Sequence, residues 1–270
     1  MTALAQKIET HLSTDFEKAL LNASVAYLQN ETDPLRFNSF AYSMRELYRH
    51  VLTRLAPDEK IKECAWFKQE ADTGKPTRKQ KYTYAIQGGL LEDYVKNNLD
   101  MDLIEFWNEI RDSQDLMSKY THVNENTFNI SNKECIQHSL EIKNSLLEIL
   151  SLIEDTRAQL MSKLKSKIDK ALLAHLLTTT VSDLDILSNQ TIVENVVVED
   201  YEVIEIGPHH IHLSGEGFVS VSLNYGQKED ATEISDSFPL MFKCHSTTAK
   251  PEKIHIQAEH ITIDTDDWYQ

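Results

Sequence analysis

Between Phe37 and Leu55 apolar residues return every three or four positions, the interval that keeps them on one side of an α-helix. At 100° per residue, Phe37, Phe40, Ala41, Met44, Leu47, Tyr48, Val51, Leu52 and Leu55 share an arc of roughly 140°. Tyr42, Ser43, Arg45, Glu46, Arg49, His50 and Thr53 fall on the opposite arc. Pro34 stands at the start of this helix and Ala56-Pro57 at its end, where a residue without an N–H cannot continue it.

The same reading applied along the chain predicts helix after helix as far as about Thr178. Residues 3–29 form two pieces, joined at the capping cluster Ser13-Thr14-Asp15, with Phe16, Leu20, Ala23 and Tyr27 at helical spacing in the second. A short helix from Asp58 to about Trp66 precedes a loop around Asp72 to Pro76. Thr77 then caps a helix from Arg78 to about Gln87, stopped by Gly88-Gly89. Asp102 to Tyr120 turns Leu103, Phe106, Trp107, Ile110 and Met117 inward. The longest periodic run, 132–178, is marked by Ile136, Leu140, Leu147, Leu150, Ile153, Leu160, Leu164, Ile168, Leu172 and Leu176. As one rod it would reach ~70 Å, so a break is expected near Thr156-Arg157, where the stripe is weakest. Such a stripe suits a bundle or a dimer seam.

Near Val181 the period changes. Val193 to Ile206 is rich in β-branched residues, and Val219, Val221, Leu223 and Tyr225 alternate with Ser220, Ser222 and Asn224. Ile254, Ile256 and Ala258 alternate with His255, Gln257 and Glu259, and Gly215, Gly217, Gly226, Pro239 and Pro251 punctuate the runs. The expected fold class is therefore α+β. An N-terminal helical bundle over 1–182 precedes a small antiparallel β domain over 190–270, sandwich-like or a partly open barrel.

Charge sharpens that division. The 270 residues carry a net −16. Residues 183–270 hold 17 acids against four bases, a net of −13, and the remaining 26 acids and 23 bases leave −3 for residues 1–182. The helical part can present a local basic face, whereas the β part repels phosphate at long range. No apolar run approaches the ~20 residues of a membrane span. The N-terminus lacks a basic flank followed by an apolar run, so no signal peptide is expected. Cys64, Cys135 and Cys244 stand far apart, without the spacing of a zinc site or a disulfide framework. A cytoplasmic protein with reduced thiols is the expectation.

Two places stand out for chemistry. The first is Arg45-Glu46-Leu47-Tyr48-Arg49-His50, which turns cations and an imidazole away from the apolar arc. A histidine serving as core filler would sit on that arc. The alternative is a solvated ion-paired face, with Glu46 bridging Arg49 and His50 at i+3 and i+4. The second is Lys75 to Lys81, where Lys75, Arg78, Lys79 and Lys81 gather beside Tyr82 and Tyr84. Cations and aromatics at a helix start suit phosphate and base contacts; a solvated lysine-rich face explains them equally well. His122 lies in a polar loop, as an ordinary loop histidine or a substrate-facing accessory. His210 and His212 share a strand face, but no acidic or cysteine ligand stands at convincing spacing, and surface histidines are the plainer reading. No phosphate-cradling glycine loop, nucleophile elbow or zinc-binding HExxH is present.

Arg45 and His50, four residues between them on a helix of an all-helical domain, resemble the arginine–histidine signature of HEPN ribonucleases. The text around them, FAYSMRELYRH from Phe40 to His50, with Leu55 to Asp58, Trp66 to Lys68 and Gly74 to Arg78, is similar to helical predicted nucleases of prokaryotic conflict systems, Piwi-associated ones included. GFVSVSLNYG from Gly217 to Gly226, with Asp236 to Pro239, looks like a β module appended to such effectors.

The resemblance implies a metal-independent endoribonuclease, a toxin or effector in antiviral defence, needing no metal and no cofactor. A ribose 2′-hydroxyl would attack the neighbouring phosphorus, giving a cyclic phosphate and a 5′-hydroxyl. That reaction needs a group moving protons near pH 7, as imidazole does, and fixed positive charge for the phosphorane, as guanidinium supplies. Arg45 and His50 would be catalytic, with Glu46 as orienter. Arg49, His122, Lys75, Arg78 and Lys79 would bind RNA. Because Arg45 and His50 stand ~140° apart on one helix, two facing copies serve one phosphate better than a single copy does. A homodimer or higher even oligomer is therefore expected, with the β domain engaging a defence-system protein. The rival is a non-catalytic interaction or adaptor subunit of a defence complex.

Overall fold

The computed structural model describes residues 2–70, 74–179, 182–226 and 232–269. The start of the loop expected around Asp72, and the change of period at Val181, lie outside the described residues. The described residues form helices followed by a four-stranded antiparallel sheet, an α+β arrangement. They divide into two compact units, one of Met1–Gly88 with Val95–Thr156, the other of Gly89–Tyr94 with Arg157–Gln270.

In the first unit, α1 (Ala3–His11) and α2 (Asp15–Gln29) are the two expected pieces. Thr14 Oγ1 accepts from the Glu17 N–H at 3.1 Å, and the Glu17 carboxylate accepts from the Ser13 and Thr14 N–H groups, a reciprocal cap. Glu17 is buried and takes Nε and Nη2 of Arg54 at 2.9 and 3.1 Å. Burial raises the Glu17 carboxyl, and Arg54 with the two backbone donors more than reverses this, leaving it below the ordinary carboxylate value.

α3 (Arg36–Leu55) follows the predicted arc, with every named apolar residue but Leu55 buried. Removing each large side chain from water contributes about 1.5–3 kcal/mol, so this face orders the unit. Arg36, Asn38 and Ser43 are buried as well. Asn38 Nδ2 donates to the Tyr120 carbonyl at 2.8 Å and Arg36 bonds Asn132, so two of these polar groups are tied to other elements. α4 (Asp58–Lys62) is shorter than expected, and α5 (Arg78–Gln87) ends at Gly88, whose φ of +59° is left-handed. Tyr82 and Tyr84 are buried, not presented for base stacking: they leave α5 on opposite sides, Tyr82 into the main core of the unit and Tyr84 against Ala56, Ile61 and Cys64.

α6 (Glu92–Asn98), α7 (Ile104–Thr121) and α8 (Asn132–Thr178) follow. α8 is continuous across the break expected near 155–157. Thr156 is fully buried and donates its hydroxyl to the Leu152 carbonyl at 2.8 Å, which satisfies the one polar group that weakened the stripe. Toward the N-terminus the buried stripe is Cys135, Ile142, Leu146, Ile149, Leu150 and Ile153; Ile136 and Leu140 lie exposed, one helical position off.

The second unit takes the rest of α8 from Arg157 on, α9 (Ser182–Asp185), and strands β1 (Gln190–Ile206), β2 (His210–Tyr225), β3 (Thr232–Thr247) and β4 (Lys250–Ile263). The strands pair in sequence order as one antiparallel meander. This is a single sheet rather than the sandwich-like or barrel form expected. Alternation shows that a strand has a covered face but not what covers it. Here α8 residues belong to the same unit: Tyr201 bonds the Met161 carbonyl, and Lys167 pairs with Glu252 at 2.9 Å. β1 carries irregularities at Val193/Asn195, Val198/Asp200 and Val203/Glu205. Gly89 belongs to this unit, its N–H donating to the Gly207 carbonyl at 3.0 Å; a Cβ there would meet the Pro208 oxygen at 2.0 Å. Among the described residues no helix is long and apolar enough to cross a membrane.

Candidate functional site

Within the first unit, α3, α5 and α7 border a cleft of about 300 Å³ whose walls carry Arg45, Glu46, Arg49, Arg78 and Lys81. Arg45 and Arg49 reach it because they leave α3 one turn apart on the polar arc. Arg78 and Lys81 leave the first turn of α5 at i and i+3, the spacing that puts two side chains on one face. Three arginines and a lysine against one glutamate make the walls cationic.

Each cation is oriented. Arg45 Nη1 donates to Thr121 Oγ1 at 3.1 Å, and Arg78 Nη1 donates to Gln114 Oε1 at 3.3 Å. Lys81 pairs with Asp58 at 2.6 Å and Arg49 with Glu46 at 2.7 Å. A guanidinium carries five N–H donors, so Arg45 and Arg78 keep donors to spare. The Glu46–Arg49 bridge is solvent-exposed, a class worth about 0–1 kcal/mol; a phosphate can compete with it.

The floor is Tyr48 and Tyr82. Gln114 Nε2 donates to the Tyr82 hydroxyl at 2.8 Å, and the Tyr48 hydroxyl donates to the Ile142 carbonyl at 2.8 Å. Burial pushes both phenols well above the usual tyrosine value. For Tyr82 the neighbouring Tyr48 adds to the rise, and Arg78 and Gln114 offset part of it. Both therefore stay protonated and serve as hydrogen-bonding floor groups rather than bases. The chain Arg78–Gln114–Tyr82 makes Gln114 the residue that sets the Arg78 fork. Sequence reasoning missed it, although a polar residue between Ile110 and Met117 on the apolar stripe of α7 was the available signal.

The structure thus brings together Arg45, Glu46, Arg49 and Arg78 of the sequence candidates. His50 is not among the cleft's lining residues. Its half-buried ring meets Phe16 of α2 edge-on, centroids 4.8 Å apart, and its Nε2 lies 3.1 Å from Arg49 Nη2. Lys75 and Lys79 are exposed beside the cleft rather than in its lining. His122 is exposed on the loop after α7, next in sequence to the Thr121 that holds Arg45.

Residues 9–146 match a family described as "Predicted pPIWI-associating nuclease", and residues 153–269 match a second with the same description. The first match alone spans half the chain. The chain belongs to these predicted pPIWI-associating nucleases. The gap between the two matches falls within α8, a few residues before the division of the compact units at Thr156. No curated protein and no solved structure matches the chain. A nuclease acts on a polyanion, and the cleft of this nuclease, lined by Arg45, Arg49, Arg78 and Lys81, has the charge to receive one.

Proposed function

We propose that this nuclease is a metal-independent endoribonuclease of the HEPN type, acting as toxin or effector in prokaryotic antiviral defence through a site composed by two copies. The observation that carries the reading is the placement of Arg45 and His50 on one helix but in different surroundings, Arg45 in the cationic cleft and His50 against Phe16. Arg45 with Arg78 binds the scissile phosphate and stabilises the charge that builds on it. His50 of a second copy moves the proton of the 2′-hydroxyl, with Glu46 as orienter and Arg49 as a phosphate contact. Lys75, Lys79 and His122 border the path of the RNA. The family description supports a pPIWI protein as the partner, and the β domain is the surface proposed to engage it.

A mixing experiment tests this. Arg45→Ala and His50→Ala are each expected to lower cleavage of single-stranded RNA in excess chelator by about 10²-fold or more. Mixed and re-equilibrated, the two impaired variants regain part of the activity, because one of the two sites in a mixed dimer is intact. Full activity of His50→Ala, a strict need for Mg²⁺, or equal cutting of an all-deoxy substrate would each refute it.

A second reading has its own observation. The Glu46–Arg49 pair and the Arg49–His50 contact are the ion-paired helix face of a non-catalytic adaptor. It is favoured if neither single copies nor dimers cut any RNA while the chain still captures its pPIWI partner.

A further inference from the structure

Strand pairing gathers histidines that stand far apart in the sequence. In the register, His212 of β2 lies opposite His245 of β3, which lies opposite His255 of β4. His210 stands two residues from His212 on the same face, and Glu205 of β1 faces His212 from the other side. The alternate residues Ile211, Leu213, Cys244 and Ser246 are buried, so the imidazoles occupy the outer face of the sheet. His210, His212 and His255 are exposed and His245 is half-buried.

The rings form a compact group. His210, His212 and His245 make a triangle with centroid separations of 6.2, 5.7 and 6.3 Å, and His255 stacks on His245 at 5.5 Å. Two imidazoles sharing one tetrahedral zinc at an N–Zn distance of about 2.0–2.1 Å hold their centroids about 5 Å apart. The sides of the triangle, at 5.7 to 6.3 Å, are each somewhat longer than that value. Among the described residues no three such side chains already converge on one point, so the rings must turn to do so. His210 and His212 are exposed and turn readily toward the half-buried His245, and the Cβ spacing is already fixed by two hydrogen-bonded strands. The surrounding net charge of −13 over residues 183–270 favours a cation.

We infer that His210, His212 and His245 form a binding site for a zinc-class divalent transition ion, with His255 beside them as a fourth imidazole. Imidazole sets of this kind suit zinc, copper and nickel rather than magnesium or calcium. Glu205, opposite His212 in the strand register, supplies a carboxylate on the neighbouring strand, the kind of group that fixes a ligating ring. The site stands on the sheet and does not depend on the cleft or on how RNA is cut.

The test titrates zinc into the purified full chain at neutral pH, in competition with a chromogenic chelator, with cobalt as a spectroscopic substitute. One ion per chain is expected, with the intense visible absorption of tetrahedral cobalt. His212→Ala and His245→Ala should each weaken binding at least about 100-fold, His255→Ala less, and His11→Ala not at all. Far-UV circular dichroism should be unchanged in every variant, since all four rings leave the sheet outward. Wild-type affinity in His212→Ala or His245→Ala, an equal loss in His11→Ala, or several weakly held ions per chain would overturn the site.

Discussion

The cationic cleft and the histidine face are both clusters of polar side chains, yet they are held in opposite ways. In the cleft each group is locked by a named partner, Arg45 by Thr121, Arg78 by Gln114 and Lys81 by Asp58, above a floor of buried tyrosines. On the sheet the imidazoles are placed by strand register, with three of them exposed and His245 half-buried. Preorganisation resides in the side chains in one case and in the backbone in the other. A substitution in the cleft therefore disturbs function and fold together when it removes a buried partner. One on the sheet face changes only what that face binds.

The largest effect expected of this contrast is on catalysis. Arg45→Ala should lower RNA cleavage by about 10²–10³-fold, the cost of deleting one charge-stabilising donor group, while the melting temperature stays near wild type because Arg45 is only half-buried. Initial rates and thermal melts on the same preparation check both halves. A fold as damaged as the rate would break the distinction.

Next comes stability in the first unit. Glu17→Gln leaves Arg54 without its carboxylate in a largely buried place and should cost about 2 kcal/mol. The sign with pH follows from the lowered Glu17 value. The folded carboxyl holds its proton less tightly than the unfolded one, so its contribution is present above the unfolded value and lost as pH falls through the folded one. Melting curves between about pH 6 and 3 should converge for wild type and Glu17→Gln at the acid end. A constant gap would show that the pair's charge does not matter.

Gln114→Leu should cost about 1–2 kcal/mol, because the buried Tyr82 hydroxyl loses its partner, and should raise KM more than it lowers kcat, since Arg78 loses its orientation but not its charge. The smallest effect is on the sheet. His212→Ala and His255→Ala, at exposed positions, should shift stability by no more than about 0.5 kcal/mol without metal. A larger loss would mean that the histidine face helps hold the sheet.

What was legible in the sequence follows the same contrast. The arc of α3 and its polar side were readable because a helix face is written within a few turns, and Arg45, Arg49 and Arg78 were named from it. Gln114 escaped because its role comes from two residues on α5, about thirty positions away. The stripe of α8 was misplaced at Ile136 and Leu140, since the side that is buried there carries Ser139, Lys143 and Ser145 beside Cys135 and Ile142, and an apolar period does not point to it. His210 and His212 were visible as a pair. His245 and His255 joined them only through register, which no local period encodes.

The irregularities of β1 have a consequence for how this protein behaves when concentrated. β1 is the border strand of the sheet and 17 residues long, and a straight border of that length would template the addition of a foreign strand. At each irregularity one residue drops out of register, and these are Glu194, Glu199 and Ile204, all exposed. Every fifth residue or so the ladder is kinked, twice at a carboxylate, so no long flat stretch is offered to another chain. The border is thereby spaced like a serrated rim. Deleting Glu194 and Glu199 would smooth it into an adhesive one, and such a variant should form sheet-rich aggregates at concentrations where the natural chain stays dispersed.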